Sequence, residues 1–205
     1  MAGLALALYL TGLALAFGWR SLAQWRATGD TGLRLHAGPP GSLGWWAKLL
    51  FIAALLLGAA GPAAGLAGLE PVAVLDRGWL HAAGLVVACA GVAATLAAQL
   101  AMGSSWRIGV DQTERTTLVT GGAFALARNP IFTAMVVTST GLALMVPNLV
   151  CLAATLVLVA SVQLQVRAIE EPYLIRTHGP TYTRYAARVG RFLPGLGRLA
   201  ARTGH

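Results

Sequence analysis

Residues 131–168 read IFTAMVVTSTGLALMVPNLVCLAATLVLVASVQLQVRA. Two apolar runs, Ile131 to Val146 and Leu149 to Ala168, are interrupted only by Pro147-Asn148, a dipeptide that marks a turn. The stretch predicts a tight helical hairpin. About 20 apolar residues cross a bilayer core, so the second arm is long enough. The first is short: at about 1.5 Å per residue it reaches about 24 Å.

Three further runs of the same kind precede the hairpin: Leu4 to about Trp19, Trp45 to about Ala60, and Trp79 to Met102. The first lacks a basic leader region and a cleavage site, so it is expected to be a retained span rather than a signal peptide. The second opens on Trp45-Trp46, a pair suited to a membrane interface. Composition agrees. Of the 205 residues, 57% are hydrophobic and 11% charged, against roughly 45–50% and about 25% in a soluble chain. The sequence therefore predicts an all-α integral membrane protein with five transmembrane helices, the last two paired in a hairpin and followed by a helical tail.

Charge placement gives an independent count. The net charge is +8, and fourteen of the fifteen basic residues are Arg. Arg20, Arg26, Arg34 and Lys48 lie between the first two runs or at the opening of the second, and only Arg77 between the second and third. Arg107, Arg115 and Arg128 follow the third; seven Arg follow from Arg167 onwards. Fourteen bases thus fall in alternate segments. Cytoplasmic loops carry the Lys/Arg excess, so the N-terminus is expected outside and the C-terminus in the cytoplasm. The Arg, Ala and Gly richness fits a GC-rich bacterial genome, and hence a bacterial plasma membrane. Positive charge so explained leaves no reason to invoke nucleic acid.

Residues 1–102 read as a three-span membrane region, and 103–205 as a loop, the hairpin and a cytoplasmic tail, integrated in one domain. There is no internal repeat. Gly61 and Gly65 match a small-xxx-small packing pattern, which has no weight in so Gly-rich a chain. Cys89 and Cys151 fall inside spans and read as buried apolar thiols. No zinc motif or Gly-rich phosphate loop is present, so no metal is expected. Ser104, Ser105, Ser139 and Ser161 lack a nucleophile-elbow context, and His81 falls on the opposite side from His178.

Polar chemistry concentrates at two places. One is Leu118-Val119-Thr120-Gly121-Gly122-Ala123-Phe124, continuing to Arg128-Asn129-Pro130-Ile131-Phe132 as span four begins. Asn129 suits an N-cap and Pro130 a first helical position, so a plain capped helix start accounts for these residues taken alone. The other is Arg167-Ala168-Ile169-Glu170-Glu171-Pro172-Tyr173-Leu174, at the inner end of span five. Adjacent carboxylates at a membrane boundary are costly unless paired or solvated, and Pro172 is expected to bend the helix. A stop signal paired with Arg is the simplest account of this second cluster. The hairpin, however, returns both places to one membrane face. Arg128, Asn129, Glu170 and Glu171 can then converge on one pocket, open to a charged soluble ligand and flanked by an apolar approach.

The order Leu118-Val119-Thr120-Gly-Gly-Ala-Phe124, Arg128-Asn129-Pro130-Ile-Phe132, a hairpin, Glu170-Glu171-x-x-Leu174, then Tyr182-x-x-Tyr185 and Arg191-Phe192-Leu193-Pro194 resembles the isoprenylcysteine carboxyl methyltransferase family. The likeness covers roughly residues 115–195. It implies an integral-membrane methyltransferase using S-adenosylmethionine held by the C-terminal half. By the same likeness Thr116, Thr117, Leu118, Val119, Phe124, Asn129, Pro130, Ile131 and Phe132 would line the cofactor, and Glu170 would contact its polar end. Arg167 corresponds, offset by one position, to a basic residue near the family's substrate site. Asn129 stands where the family has His, and Phe124 and Phe132 stand where it has Tyr. An imidazole and two hydroxyls are thereby lost, while aromatic packing survives.

Methyl transfer from a sulfonium needs proximity and alignment more than an acid. Glu170 is expected to hold the cofactor's ammonium or hydroxyls and Arg128 its carboxylate, with Arg167 or Arg191 orienting an anionic acceptor. An amine or thiol acceptor would need a base, for which His178 and Glu171 are the candidates. The acceptor is expected to be a lipophilic small molecule or membrane lipid. Its identity and the oligomeric state are not written in these residues. Two rivals stand beside this reading: an NADPH-binding reductase of the sterol-reductase type, and a non-enzymatic membrane scaffold or transporter.

Overall fold

A computed structural model describes residues 1–33, 38–107 and 117–200. Six helices account for most of them: α1 (Ala2–Thr28), α2 (Leu43–Leu66), α3 (Gly78–Ala101), α4 (Pro130–Met145), α5 (Leu149–Leu164) and α6 (Glu171–Arg188). Among the described residues there is no strand, and the nearest approach to a sheet is an isolated parallel bridge between Ala127 and Gly190. Helices α1, α2 and α3 are each long and apolar enough to cross a membrane, as is the continuous helical stretch Leu149–Arg188; α4, at 16 residues, is shorter. Large apolar side chains cover the outside: Leu56, Val86, Leu149 and Leu156 are each about 70% exposed. In water such a surface would be an aggregation site; against lipid it is the favourable one.

The hairpin forms as the sequence predicts. α4 ends at Met145, and Asn148, fully buried, caps α5 by accepting from the Cys151 N–H at 2.9 Å. Its amide nitrogen donates to the Gly61 carbonyl at 2.8 Å, which ties the turn to α2. The interiors of the helix pairs are built from small residues, because lipid offers no hydrophobic drive and close backbone approach must supply the attraction. A Cβ on Gly91 would lie 2.6 Å from the Thr138 nitrogen, and one on Gly141 would lie 2.7 Å from the Gly84 carbonyl oxygen. Gly61 packs likewise on Cys151, and Gly65 on Val146 and Ala2. Thus the Gly61-Gly65 pattern, weightless in the sequence, marks two real helix contacts. Gly91→Leu is expected to lower the melting temperature of the detergent-solubilised protein, since overpacking typically costs about 1–3 kcal/mol or more; an unchanged melting temperature would contradict so tight an α3–α4 contact.

Two local expectations are corrected, and a third gains its structural detail. Arg20, Arg26 and Lys48 are not loop residues but lie within α1 and α2; Arg20 is buried, donating to the Gln24 amide oxygen and the Gly103 carbonyl and stacking its guanidinium 4.6 Å from the Trp106 ring centroid. Cys151 is buried as expected, whereas Cys89 is exposed on the outer face of α3. The helix continues through Pro172, where a bend was expected. A π-helical turn at Gln165–Glu170 widens the coil ahead of it, so the missing proline N–H is absorbed at the start of α6. The break comes at Gly179, whose φ of 50° and ψ of −127° suit glycine, immediately before Pro180.

Candidate functional site

The loop before α4, the first turn of α4 and the chain after α6 are stitched together by hydrogen bonds to main-chain carbonyls. The Arg128 N–H donates to the Gly190 carbonyl at 2.8 Å, the Asn129 N–H to the Arg191 carbonyl at 3.1 Å, and the Thr133 hydroxyl to the Phe192 carbonyl at 2.8 Å. Asn129 precedes α4 and Pro130 opens it, but the Asn129 side chain does not cap the helix. Its amide donates instead to the Arg191 carbonyl at 3.0 Å. The tail is thereby held against the start of α4.

Within this seam one carboxylate sits between two guanidiniums. Arg128, buried, donates to the Ala186, Val189 and Gly197 carbonyls and to the Glu171 carboxylate. Arg191 grips the same carboxylate in a fork, Nε to Oε1 and Nη2 to Oε2, both at 2.8 Å. Burial works to raise the Glu171 carboxyl, but the hydrogen bonds from Arg191 and Arg128 outweigh it and hold the group below the usual carboxylate range. The bond to Glu171 in turn raises Arg191. Two cations on one anion leave one positive charge in surplus.

Glu170 differs from its neighbour. Among the described residues it accepts only from the Gln165 amide, at 3.1 Å. Burial pushes its carboxyl up; the Gln165 bond opposes this and the adjacent Glu171 charge adds to it, with a net rise. Two adjacent acids thus have divergent environments, a feature typical of functional sites.

Both acids open onto a cavity of about 450 Å³, inside the usual range of roughly 300–1,000 Å³ for ligand sites. One end is lined by Thr117, Leu118, Val119, Phe124, Arg128, Asn129, Glu170, Glu171, His178, Tyr182 and Tyr185. The other runs between helices along Phe17, Phe51, Ile52, Leu55, Met135 and Val162, with Pro130, Ile131 and Phe132 at the junction with α4. The wall of the polar end is rigid: the Tyr185 hydroxyl donates to the Phe124 carbonyl at 2.6 Å, and Tyr182 packs edge-on against Tyr185. Burial pushes both phenols up to about 12, so both remain protonated near neutral pH.

The site residues expected from sequence are mostly gathered here. Thr116 lies outside the described residues. Arg167 does not line the cavity: it is exposed on the π-helical turn and donates to Gln163 at 2.7 Å. Arg128 does reach the cavity, but both its terminal nitrogens are taken up in holding the tail and Glu171, so it acts with Arg191 as one unit. Sequence reading passed over Lys48, Gln99 and Tyr173, which also line the cavity. For Lys48 and Gln99 the available signal was a polar residue inside an otherwise apolar helix.

Residues 79–181 match the family model described as phospholipid methyltransferase. No curated protein sequence matches the chain. Among solved structures, the eukaryotic intramembrane Ras methyltransferase isoprenylcysteine carboxyl methyltransferase shares the fold, with a TM-score of 0.59 and 23% identity over 94% of this chain and 67% of that one.

Proposed function

The chain belongs to the phospholipid methyltransferase family, and from that premise we propose an integral-membrane enzyme of five spans that moves a methyl group from S-adenosylmethionine to a lipophilic acceptor at the cytoplasmic face. One observation carries the reading: a single cavity joins a charged end, built by Glu170 and the Arg128–Glu171–Arg191 set, to an apolar end between the helices.

When bound, S-adenosylmethionine supplies an activated methyl group on a sulfonium. It is a zwitterion at its amino-acid end, and the cavity offers matching groups. Glu170, not engaged by any Arg among the described residues, suits the ammonium. The surplus positive charge of Arg128 and Arg191 around Glu171 suits the carboxylate. Buried polar atoms without a hydrogen-bond partner among the described residues, Arg128 Nε and His178 Nε2, are donors or acceptors left over for a ligand. Phe124 and Phe132 present aromatic surface, which favours a neighbouring cation even without the tyrosyl hydroxyls. Helices α1, α2, α4 and α5 keep water from the apolar end and align an acceptor there.

Glu171 is not the base for a protic acceptor, because two guanidiniums hold it ionised and fully engaged. His178 is the better-placed group: it lines the cavity and its Nε2 is buried and unmet among the described residues.

The test is a melting experiment on detergent-solubilised protein. S-adenosylhomocysteine is expected to raise the melting temperature in proportion to the logarithm of its concentration, and NADPH to leave it unchanged. A shift with NADPH alone would replace the methyltransferase reading with the reductase one; no shift with either would favour a non-enzymatic protein. Mass spectrometry of membrane lipids labelled from methyl-tagged methionine, with and without the protein, then identifies the acceptor.

A further inference from the structure

Several polar side chains inside the bundle are satisfied by backbone. Thr95 donates to the Gly91 carbonyl at 2.9 Å, Ser161 to the Ala47 carbonyl at 3.0 Å and Asn148 to the Gly61 carbonyl at 2.8 Å. Gln99, in the last turn of α3 and only 3% exposed, is half an exception. Its amide nitrogen donates to the Ala16 carbonyl of α1 at 3.1 Å. A carbonyl can only accept, so this bond fixes which end of the amide is nitrogen. The other end, Oε1, is buried and has no hydrogen-bond partner among the described residues.

A buried carbonyl left unmet carries its full desolvation penalty. A glutamine kept only to join α3 to α1 would need its nitrogen and gain nothing from the oxygen. Gln99 lines the cavity, as do Phe17, Met102 and Trp106, so its side chain forms part of the cavity wall. Its level is that of the proposed transfer site rather than the bundle's depth: a Cβ built on Gly122, in the loop that leads to Phe124, would lie 3.7 Å from the Ala101 Cβ, two residues on from Gln99.

We infer that Gln99 recognises the methyl acceptor, its Oε1 accepting a hydrogen bond from an N–H or O–H on the acceptor's head group. The acceptor is then a lipid alcohol or lipid amine, not a lipid carboxylate, which brings only acceptor oxygens to a carbonyl. The inference rests on the reading of the apolar end as the acceptor's site, and Ala16 serves to aim the amide.

The experiment uses the full chain in detergent micelles and four probes of one chain length: 1-dodecanol, dodecylamine, dodecyl methyl ether and dodecanoate. Binding is read from the melting temperature followed by tryptophan fluorescence, with no cofactor present. The alcohol or the amine is expected to bind about five- to tenfold more tightly than the ether, the scale of one hydrogen bond to a buried group, whereas dodecanoate, whose carboxylate suits the Arg128–Arg191 end, is expected to bind independently of Gln99. Gln99→Leu is expected to abolish that preference while leaving ether binding unchanged. Equal binding of the alcohol, the amine and the ether to the wild-type protein overturns the inference, and this arm needs no variant to fold. A preference that persists in Gln99→Leu overturns it too. Because no arm uses methyl transfer, failure of the methyltransferase reading would appear separately, in the S-adenosylhomocysteine experiment.

Discussion

Glu171→Ala is expected to release the C-terminal tail from the membrane helices and to lower stability by about 3–5 kcal/mol, the usual consequence of removing one partner from a buried ion pair. The reason lies in the two guanidiniums. Arg128 is buried against the Ala186, Val189 and Gly197 carbonyls, and without Glu171 its charge keeps only dipoles for company. Arg191 loses both bonds of its fork. Trypsin should then cut at Arg188, Arg191 or Arg198 under conditions where the wild-type tail resists, and the melting temperature should fall. A tail as resistant as that of the wild type would show that the hydrogen bonds from residues 128–133 to the tail's carbonyls suffice alone. The same pair sets a dependence on pH. The folded-state Glu171 carboxyl lies below its unfolded value of roughly 4.3, so its contribution is complete above that value and is lost as pH falls through the lower, folded one. Glu170 works in the opposite sense: its carboxyl is raised, so its contribution is complete below the unfolded value and fades as pH rises through the folded one. Acid melting in a Glu170→Gln background isolates the Glu171 effect.

The hairpin and the meeting of Arg128 with Glu171 could be read from sequence because they depend on few facts: two apolar runs, the two residues between them, and the geometry that returns a hairpin to its starting face. What each acid does there could not. Successive helical residues point about 100° apart, so only one of Glu170 and Glu171 can face Arg128, and which one depends on the phase of the helix. The π-helical turn at Gln165–Glu170 shifts that phase, a change no 3.6-residue pattern contains. The same shift leaves Arg167 exposed and out of the cavity, although its spacing from Glu170 suited a shared site. Arg191 was visible as a basic residue of the tail, but its fork on Glu171 depends on the tail folding back along residues 127–129 after the break at Gly179. Gln99 falls inside an apolar run and Lys48 counts only as one more base in the charge pattern, since apolar runs are scored by what is common in them rather than by the polar residues they tolerate.

Glu170→Gln is expected to weaken S-adenosylhomocysteine binding about 30-fold or more, while the ligand-free protein melts no lower than wild type. Losing one charged partner of a desolvated, hydrogen-bonded pair costs about 2–5 kcal/mol in binding, and each 1.4 kcal/mol is about tenfold. Stability should hold because burial already drives Glu170 toward its neutral form in the free protein, and glutamine imitates that form without charge. Gln165 can still donate to the amide oxygen. The raised carboxyl also makes affinity depend on pH in a definite direction. An ammonium is held by the ionised form, so wild-type binding should tighten as pH rises through the raised value and release a proton below it. In Glu170→Gln this part of the pH dependence should vanish. Isothermal titration in two buffers of different ionisation enthalpy reads both the affinity and the proton count. Unchanged affinity in the variant would remove Glu170 from the cofactor's site and leave the surplus charge of Arg128 and Arg191 as its chief electrostatic feature. Weakened affinity with a flat pH profile in the wild-type protein would instead mean that Glu170 is already ionised before the ligand arrives.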